Sequence, residues 1–545
     1  MHEVKKDKSS MSLNRTMGRN TLFGMVEKFY RLAVKLFMVP VSLHFIGFAG
    51  YGIWEAIVSV VAYMTLGVGG AGSALQKYVA EASATSKYEL ASRRLSGGAF
   101  FILGMTCVIL IPVFIWSDQI VSFLGLLPHA TPVDASKVSI ESLDMVNKFS
   151  LSIRFLAITM IFANFGRIYG SIIMGMHRID LARIIDGVCT TVEAVVALIL
   201  LTQGYGILAL VIALAVAELS RSSLYFIMSR RVAPQIRLRP GKISRGILCE
   251  TLQFVGSYQI FNYIQVGFYS LVPLLILKTM GSTVTGIFAV SRRLINIPAI
   301  ISESALLPLL SGATLVYARK EWERFRKIFV KVARFTVVVF LPLIVFLSVF
   351  SRPIFIVLSP KNGNVSIPEE TQFIAIAIAI LGLAMFFSAI SRVYSAMYRA
   401  SGGTYRDILL FLVKLAVLLP SFILIASHFG YLGALFSLAL AELVGVLYIH
   451  LKLKYLISPK ALMAVLSDSL VATVSSLTVA ATCFIFYKLA LGFLSNARIE
   501  TFFLVMIIGV FYVIIGVLIL SFTKFLSREE KDLLCSLIPF LKNRV

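Results

Sequence analysis

"GILALVIALAVAEL", Gly206–Leu219, returns 224 residues later as "GYLGALFSLALAEL", Gly430–Leu443. Both stretches open on Gly, run apolar, and close on Ala-Glu-Leu. Two more pairs recur at nearly the same distance. "RIYGSIIMGMHR", Arg167–Arg178, resembles "RVYSAMYRASGG" from Arg392, at an offset of 225. "YGIWEA" from Tyr51 resembles "TGIFAV" from Thr285, at an offset of 234. Apolar composition alone does not produce three matches at one spacing. The chain carries an internal duplication.

The duplicated stretches sit in a chain of 545 residues, 58% hydrophobic and 14% charged, with a mean hydropathy of +0.90. Apolar runs of ~20 residues, the length that crosses a bilayer, recur from end to end. About fourteen can be counted. The fold expected is an all-α polytopic membrane protein. Two six-helix lobes surround a central cavity, and two extra helices follow at the C-terminal end. Residues 20–228 form the N-lobe and residues 248–455 the C-lobe. Six spans per half is an even number, so the repeats are parallel, with a pseudo-two-fold axis along the membrane normal. A basic N-terminus (1–19) and a basic linker (229–247) lie on the cytoplasmic side. Spans 13 and 14 occupy 456–524. The tail, 525–545, opens with Ser527 and Glu530 at capping-box spacing and reads as an interfacial helix. The longest outer gaps, 117–149 and 351–370, fall at equivalent places in the two halves.

A net charge of +24 in a soluble protein would suggest nucleic acid. The placement of the charges excludes that partner. Inside segments hold about 33 Lys/Arg and outside segments about 7, which puts both termini in the cytoplasm of a cell (inner) membrane protein. The five cysteines are scattered, and no P-loop or CxxC is present, so no cofactor or metal is expected. No outer gap is long enough for a separate catalytic domain, so an enzyme is not expected either.

The remaining cations lie inside spans, where each costs roughly 2.5–3.5 kcal/mol at a lipid-facing helix centre. Arg154 and Arg334 stand near helix ends and can snorkel. Arg221 follows Glu218 by three residues and can pair with it. Arg31, Lys35, Arg167, Arg292, Arg392 and Lys414 are left as candidate walls of a wet, cationic cavity. In "EKFYRLAVK", Glu27–Lys35, the charges recur every four residues on one face. Arg167 and Arg392 occupy the same place in the two repeats. In span 7, Tyr258, Asn262, Gln265 and Tyr269 share a face, and at the 234 offset Gln265 answers to Arg31 and Tyr269 to Lys35. Such a lining suits a phosphate attached to sugars: arginine forks grip phosphate oxygens, and the amides and phenols bond hydroxyls. Two structural alternatives stand beside it. The charges can be internal ion pairs, as Glu27 with Arg31, and the span 7 polar face can bond neighbouring helices. Glu27 is the candidate for coupling to a proton or sodium ion. Glu55, Asp186, Glu193, Glu218, Glu303 and Glu442 are the other acids at depth.

The stretch "FAGYGIWEAIVSVVAYMTLGVGGAGSALQKYVAEA", Phe48–Ala82, resembles the second span of Wzx-type polysaccharide-export flippases, a branch of the multidrug/oligosaccharidyl-lipid/polysaccharide exporter superfamily. The resemblance implies a cavity that opens alternately to each side and accepts a lipid-linked oligosaccharide, with membrane lipids around it. It implies a substrate role for the six cations by location and charge only. Two readings of the same superfamily stay open. One is a multidrug/cation antiporter, whose cavity should be acidic and aromatic. The other is a peptidoglycan-precursor lipid flippase, although the Arg-Asp stretch of that branch is absent from span 1.

Overall fold

The computed structural model describes residues 2–124, 138–238, 245–358, 374–400, 406–453, 459–491 and 498–522. Side chains are described for most of these. The tail and parts of both long outer gaps lie outside the described residues. Among the described residues fourteen helices follow one another: α1 (His2–Met64), α2 (Leu66–Thr85), α3 (Tyr88–Ile115), α4 (Ser117–Phe123), α5 (Val138–Gly175), α6 (Ile179–Thr202) and α7 (Ile207–Val232). Then come α8 (Arg245–Ala318), α9 (Trp322–Val349), α10 (Ser351–Leu358), α11 (Ile374–Ala400), α12 (Arg406–Leu453), α13 (Pro459–Leu491) and α14 (Arg498–Phe522). Among the described residues ten helices are long and apolar enough to cross a membrane. Three of the ten are double. Gly47 in α1, Gly281 in α8 and Gly430 in α12 each break the helical backbone. With those breaks and α14, the fourteen expected spans are accounted for.

The breaks carry the duplication into backbone geometry. Gly281 lies 234 residues after Gly47, the offset of Tyr51 and Thr285; their φ/ψ are 86/178° and 64/−177°. Gly206 caps α7 at φ 58°, ψ −131°, and Gly430, 224 residues on, has φ 54°, ψ −134°. Positive φ of this kind is costly for residues with a Cβ. The short helices α4 and α10 also match, starting at Ser117 and Ser351, both buried.

The contacts divide the chain into two compact units, Met1–Val290 and Ser291–Val545. In the first, α5 packs on α2, α3 and α7, and α6 packs on α1 and α7. Its core joins Leu75, Val79, Leu95, Ile168, Ile172 and Cys189. The first part of α8 belongs to this unit for a local reason. Tyr63 Oη donates to the Gly267 carbonyl at 3.0 Å, and Gly52 meets Gly286 backbone to backbone. A Cβ on Gly52 would stand 1.9 Å from the Ser282 carbonyl oxygen and 2.7 Å from the Gly286 nitrogen. A Cβ on Gly286 would stand 2.0 Å from the Phe48 oxygen and 3.2 Å from the Gly52 nitrogen. The contact is reciprocal: each glycine touches the repeat-mates of the residues that touch the other. This is how an isologous two-fold contact behaves.

In the second unit, α9 is amphipathic. It buries Phe325, Phe329, Val332 and Phe340, and it packs against α11 and α13. α13 and α14 dock through Phe350, Tyr487 and Tyr512, and Tyr512 donates to the Pro342 carbonyl at 2.8 Å.

Candidate functional site

The site is built on the crossing of α5 and α7. Gly166 and Gly170 sit one turn apart, a small-xxx-small spacing that lets helices approach closely. A Cβ on Gly166 would lie 2.3 Å from Ser222 Oγ and 2.6 Å from its Cα. Ser222 donates to the Phe162 carbonyl at 3.2 Å. Across Gly170 lies the ring of Tyr225, whose hydroxyl donates to Asp186 Oδ1 on α6 at 2.8 Å. This tight crossing delivers Arg167 to the α7 residues one turn before Ser222.

Those residues and their neighbours on α1 and α6 form a chain of alternating charge. Arg31 Nη2 is 3.0 Å from Glu27 Oε1, and Arg183 Nη1 is 3.8 Å from Glu27 Oε2. Arg183 reaches Asp186 at 3.6 Å, and Arg221 Nε reaches the same carboxylate at 3.3 Å. Arg221 also pairs closely with Glu218, whose other oxygen is 3.5 Å from Arg167 Nη2. Four guanidiniums thus face three carboxylates. The carboxylates of Glu27 and Glu218 are 4% and 9% exposed, against 36% for Arg31, 32% for Arg167 and 30% for Arg183. Tyr30 Oη and Thr191 Oγ1, 2.7 Å apart, fasten α1 to α6 beside this chain.

The other sequence-based candidates are placed as follows. Lys35 lies exposed on α1. On α8, Asn262, Gln265 and Tyr269 are half-buried, flanking the Gly267 carbonyl that Tyr63 bonds; Tyr258 falls outside the described side chains. Arg292 and Arg392 belong to the second unit and are half-buried there. Lys414 is fully buried. Its Nζ is 2.7 Å from Glu442 Oε2, and both side chains are at most 2% exposed. Arg154 is anchored instead of snorkelling: it donates to Ser117 Oγ and to Asp118 Oδ2, each at 2.7 Å.

Sequence reading missed Arg183 and the hub role of Asp186. Arg183 stands one turn inside α6 and reads as an ordinary helix-end cation. The usable signals were two i,i+3 pairs, Arg183–Asp186 and Glu218–Arg221, and the Gly166/Gly170 spacing that lets α5 approach α7.

Residues 135–362 match the family model described as "Polysaccharide biosynthesis protein". No curated protein matches the chain by sequence. Among solved structures, the lipid II flippase MurJ in an inward closed conformation aligns with a TM-score of 0.68 at 14% identity, covering 92% of this chain and 99% of that one. An inward-facing multidrug resistance MATE family transporter of the MOP superfamily aligns at 0.63 and 14% identity, covering 79% and 95%. A MOP superfamily transporter from Pyrococcus furiosus, described by a binding pocket of reverse polarity, aligns at 0.53 and 14%, covering 81% and 95%. The chain thus shares the fold of the MurJ and MATE transporter structures, and its segment 135–362 resembles the polysaccharide biosynthesis family.

Proposed function

We propose that this protein is a flippase that moves a polyprenyl (pyro)phosphate-linked oligosaccharide from the cytoplasmic to the outer leaflet of the cell membrane, without chemical change to it. The observation that carries the reading is the set of partly exposed guanidiniums, Arg31, Arg167 and Arg183, inside helices apolar enough to span a membrane. A guanidinium turned to hydrocarbon is costly, so these groups belong beside water and an anion. The match to a polysaccharide biosynthesis family supports a glycan as cargo. We assign Lys35 and, in the second unit, Arg292 and Arg392 to the head group as well, and Asn262, Gln265, Tyr269 and Tyr258 to sugar hydroxyls. Lys414 we assign to holding Glu442. Rocking of the lobes 20–228 and 248–455, with both termini cytoplasmic, presents the head group to each side in turn, coupled to a proton or sodium ion.

A cation antiporter fits less well, because Glu27, Asp186 and Glu218 are each neutralised by arginine. A peptidoglycan-precursor flippase is the second reading. It is favoured by the longer match to the MurJ structure, 92% of the chain against 79% for the MATE transporter.

Deleting the gene and analysing lipid extracts tests both readings. Accumulated lipid-linked glycan of a surface polymer supports the first, and accumulated peptidoglycan precursor the second. No accumulation of either, with raised drug sensitivity, overturns both. Arg31→Ala and Arg392→Ala should abolish export while membrane levels hold. Normal export from both variants would remove the arginines from the mechanism.

A further inference from the structure

Two parallel triads run through the first unit. In each, a buried glutamate stands between two arginines, an inner one that also meets Asp186 (Arg183 or Arg221) and an outer one that does not: Arg31–Glu27–Arg183 and Arg167–Glu218–Arg221. Asp186 joins the inner arginines. We propose that Glu27 and Glu218 are internal stand-ins for the ligand's phosphate, each holding its outer arginine until a phosphate oxygen of the head group displaces it. The proposal rests on the flippase reading and assigns the regulation of that site.

The geometry gives three reasons. The first concerns the quality of the outer contacts. Among the described residues, the oxygens that face Arg31 and Arg167, Glu27 Oε1 and Glu218 Oε2, accept no aligned hydrogen bond, and neither does Glu27 Oε2, which faces Arg183 at 3.8 Å. Each of these ion pairs is closest through one guanidinium nitrogen, and a guanidinium carries five N–H donors. A phosphate can take them in a bidentate fork, which a single off-line carboxylate oxygen does not.

The second reason concerns the glutamates after displacement. A buried carboxylate that loses its only partner is strongly destabilised. Here each keeps its inner arginine, and Asp186 keeps those arginines in place. The outer arginine can change partners without leaving an orphaned buried charge.

The third reason is selectivity. Because each outer arginine already faces a carboxylate, a monoanion such as chloride or acetate has little to gain by displacing the glutamate. A multiply charged pyrophosphate, reaching both arginines or binding one bidentately, gains more than it displaces. The stand-ins set a charge threshold at the entrance of the site and hold the side chains in place when no ligand is bound.

The test uses the purified full-length protein and inorganic pyrophosphate as probe, with acetate as the monoanion, read by calorimetry or ligand-shifted thermal denaturation. The wild type should bind pyrophosphate and not acetate. Glu27→Gln and Glu218→Gln should each tighten pyrophosphate binding by about tenfold, roughly one decade in Kd, and should gain measurable acetate binding. Arg31→Ala should weaken pyrophosphate in either background. Asp118→Asn removes a negative charge elsewhere in the unit and should change neither ligand, which separates a local exchange from a rise in net charge. If a Gln variant does not fold, Glu27→Asp retracts the carboxylate from Arg31 while keeping a charge for Arg183, and a tightening of about threefold is expected. Pyrophosphate binding that is lost in Arg31→Ala but unchanged or weaker in folded Glu variants overturns the stand-in role and leaves the flippase reading intact. Absence of pyrophosphate binding in the wild type and every variant overturns both.

Discussion

Gly286→Ala should unfold or pry apart the contact between the second part of α1 and α8, and the structure sets the size of the effect. The new methyl would lie 2.0 Å from the Phe48 oxygen and 2.9 Å from its carbonyl carbon. Ordinary carbon–oxygen contact is nearer 3.4 Å, so the two backbones must separate by roughly an ångström and a half. Overpacking of a tight interior costs about 1–3 kcal/mol where a side chain can yield. Here the obstacle is a carbonyl in a helix, so we expect the upper end or more. Gly52→Ala should cost as much, because its methyl meets the Ser282 oxygen at 1.9 Å. The two changes demand the same separation, so their combination should cost clearly less than the sum. Gly104→Ala is the reference: nothing lies within 4 Å of its Cβ, and a helical Gly→Ala is worth about 0.5–1 kcal/mol of stabilisation. Thermal unfolding of the purified protein in detergent, followed by intrinsic fluorescence, reads all four variants. Gly286→Ala and Gly52→Ala within about 0.5 kcal/mol of wild type would refute the close backbone contact, and with it the reciprocal two-fold geometry.

Gly166→Leu should abolish export with the protein still in the membrane, because α7 can no longer bring Glu218 and Arg221 beside Arg167; normal export in a transport assay refutes the crossing as drawn. Lys414→Cys should destabilise by about 3–5 kcal/mol, the cost of leaving Glu442 buried and unpaired, seen as a lowered Tm. Gly445→Arg alone should also destabilise, since its Cβ would meet Lys414 Cε at 2.3 Å. Combined, the two substitutions should recover at least half of the loss; a double variant as unstable as the sum of the singles contradicts the exchange described below.

Much of the fold was legible because a duplication leaves marks that composition cannot imitate. The offsets 224 and 234, read from short apolar matches, place Gly430 against Gly206 and Gly281 against Gly47, and each pair shares a positive φ. A glycine in a long apolar run is weak evidence of a break, but a glycine at a repeat offset is strong evidence. The helix ends were less legible: Gly47, Gly281 and Gly430 kink the chain without a loop, so pairs of spans run on as one helix. The site was legible only in part. Arg31 with Glu27, and Arg221 with Glu218, are local pairs at helical spacing and can be seen in one dimension. Arg183 with Glu27, and Arg167 with Glu218, join residues on different helices, brought together by the packing of α6 on α1 and by the α5–α7 crossing at Gly166 and Gly170.

The two repeats solve one problem, a buried glutamate in the last helix of each repeat, in opposite ways. Glu218 and Glu442 correspond at the 224 offset. In the first repeat the cation comes from the same helix, Arg221, and the neighbouring helix offers the small buried Cys189. In the second repeat the position of Arg221 is Gly445, and the position of Cys189, at the 225 offset, is Lys414. Cation and small residue have traded helices, and the volume is kept: Lys414 lies across the space that Gly445 leaves. The trade changes chemistry as well as packing. A lysine offers three donors from one nitrogen, and in Lys414 that nitrogen sits on Glu442, sealed from solvent. An arginine offers a fork, so Glu218 can hold Arg221 and still face Arg167, which is one-third exposed. The closed pair of the second repeat suits a fixed strut. The open triad of the first suits a site that exchanges partners.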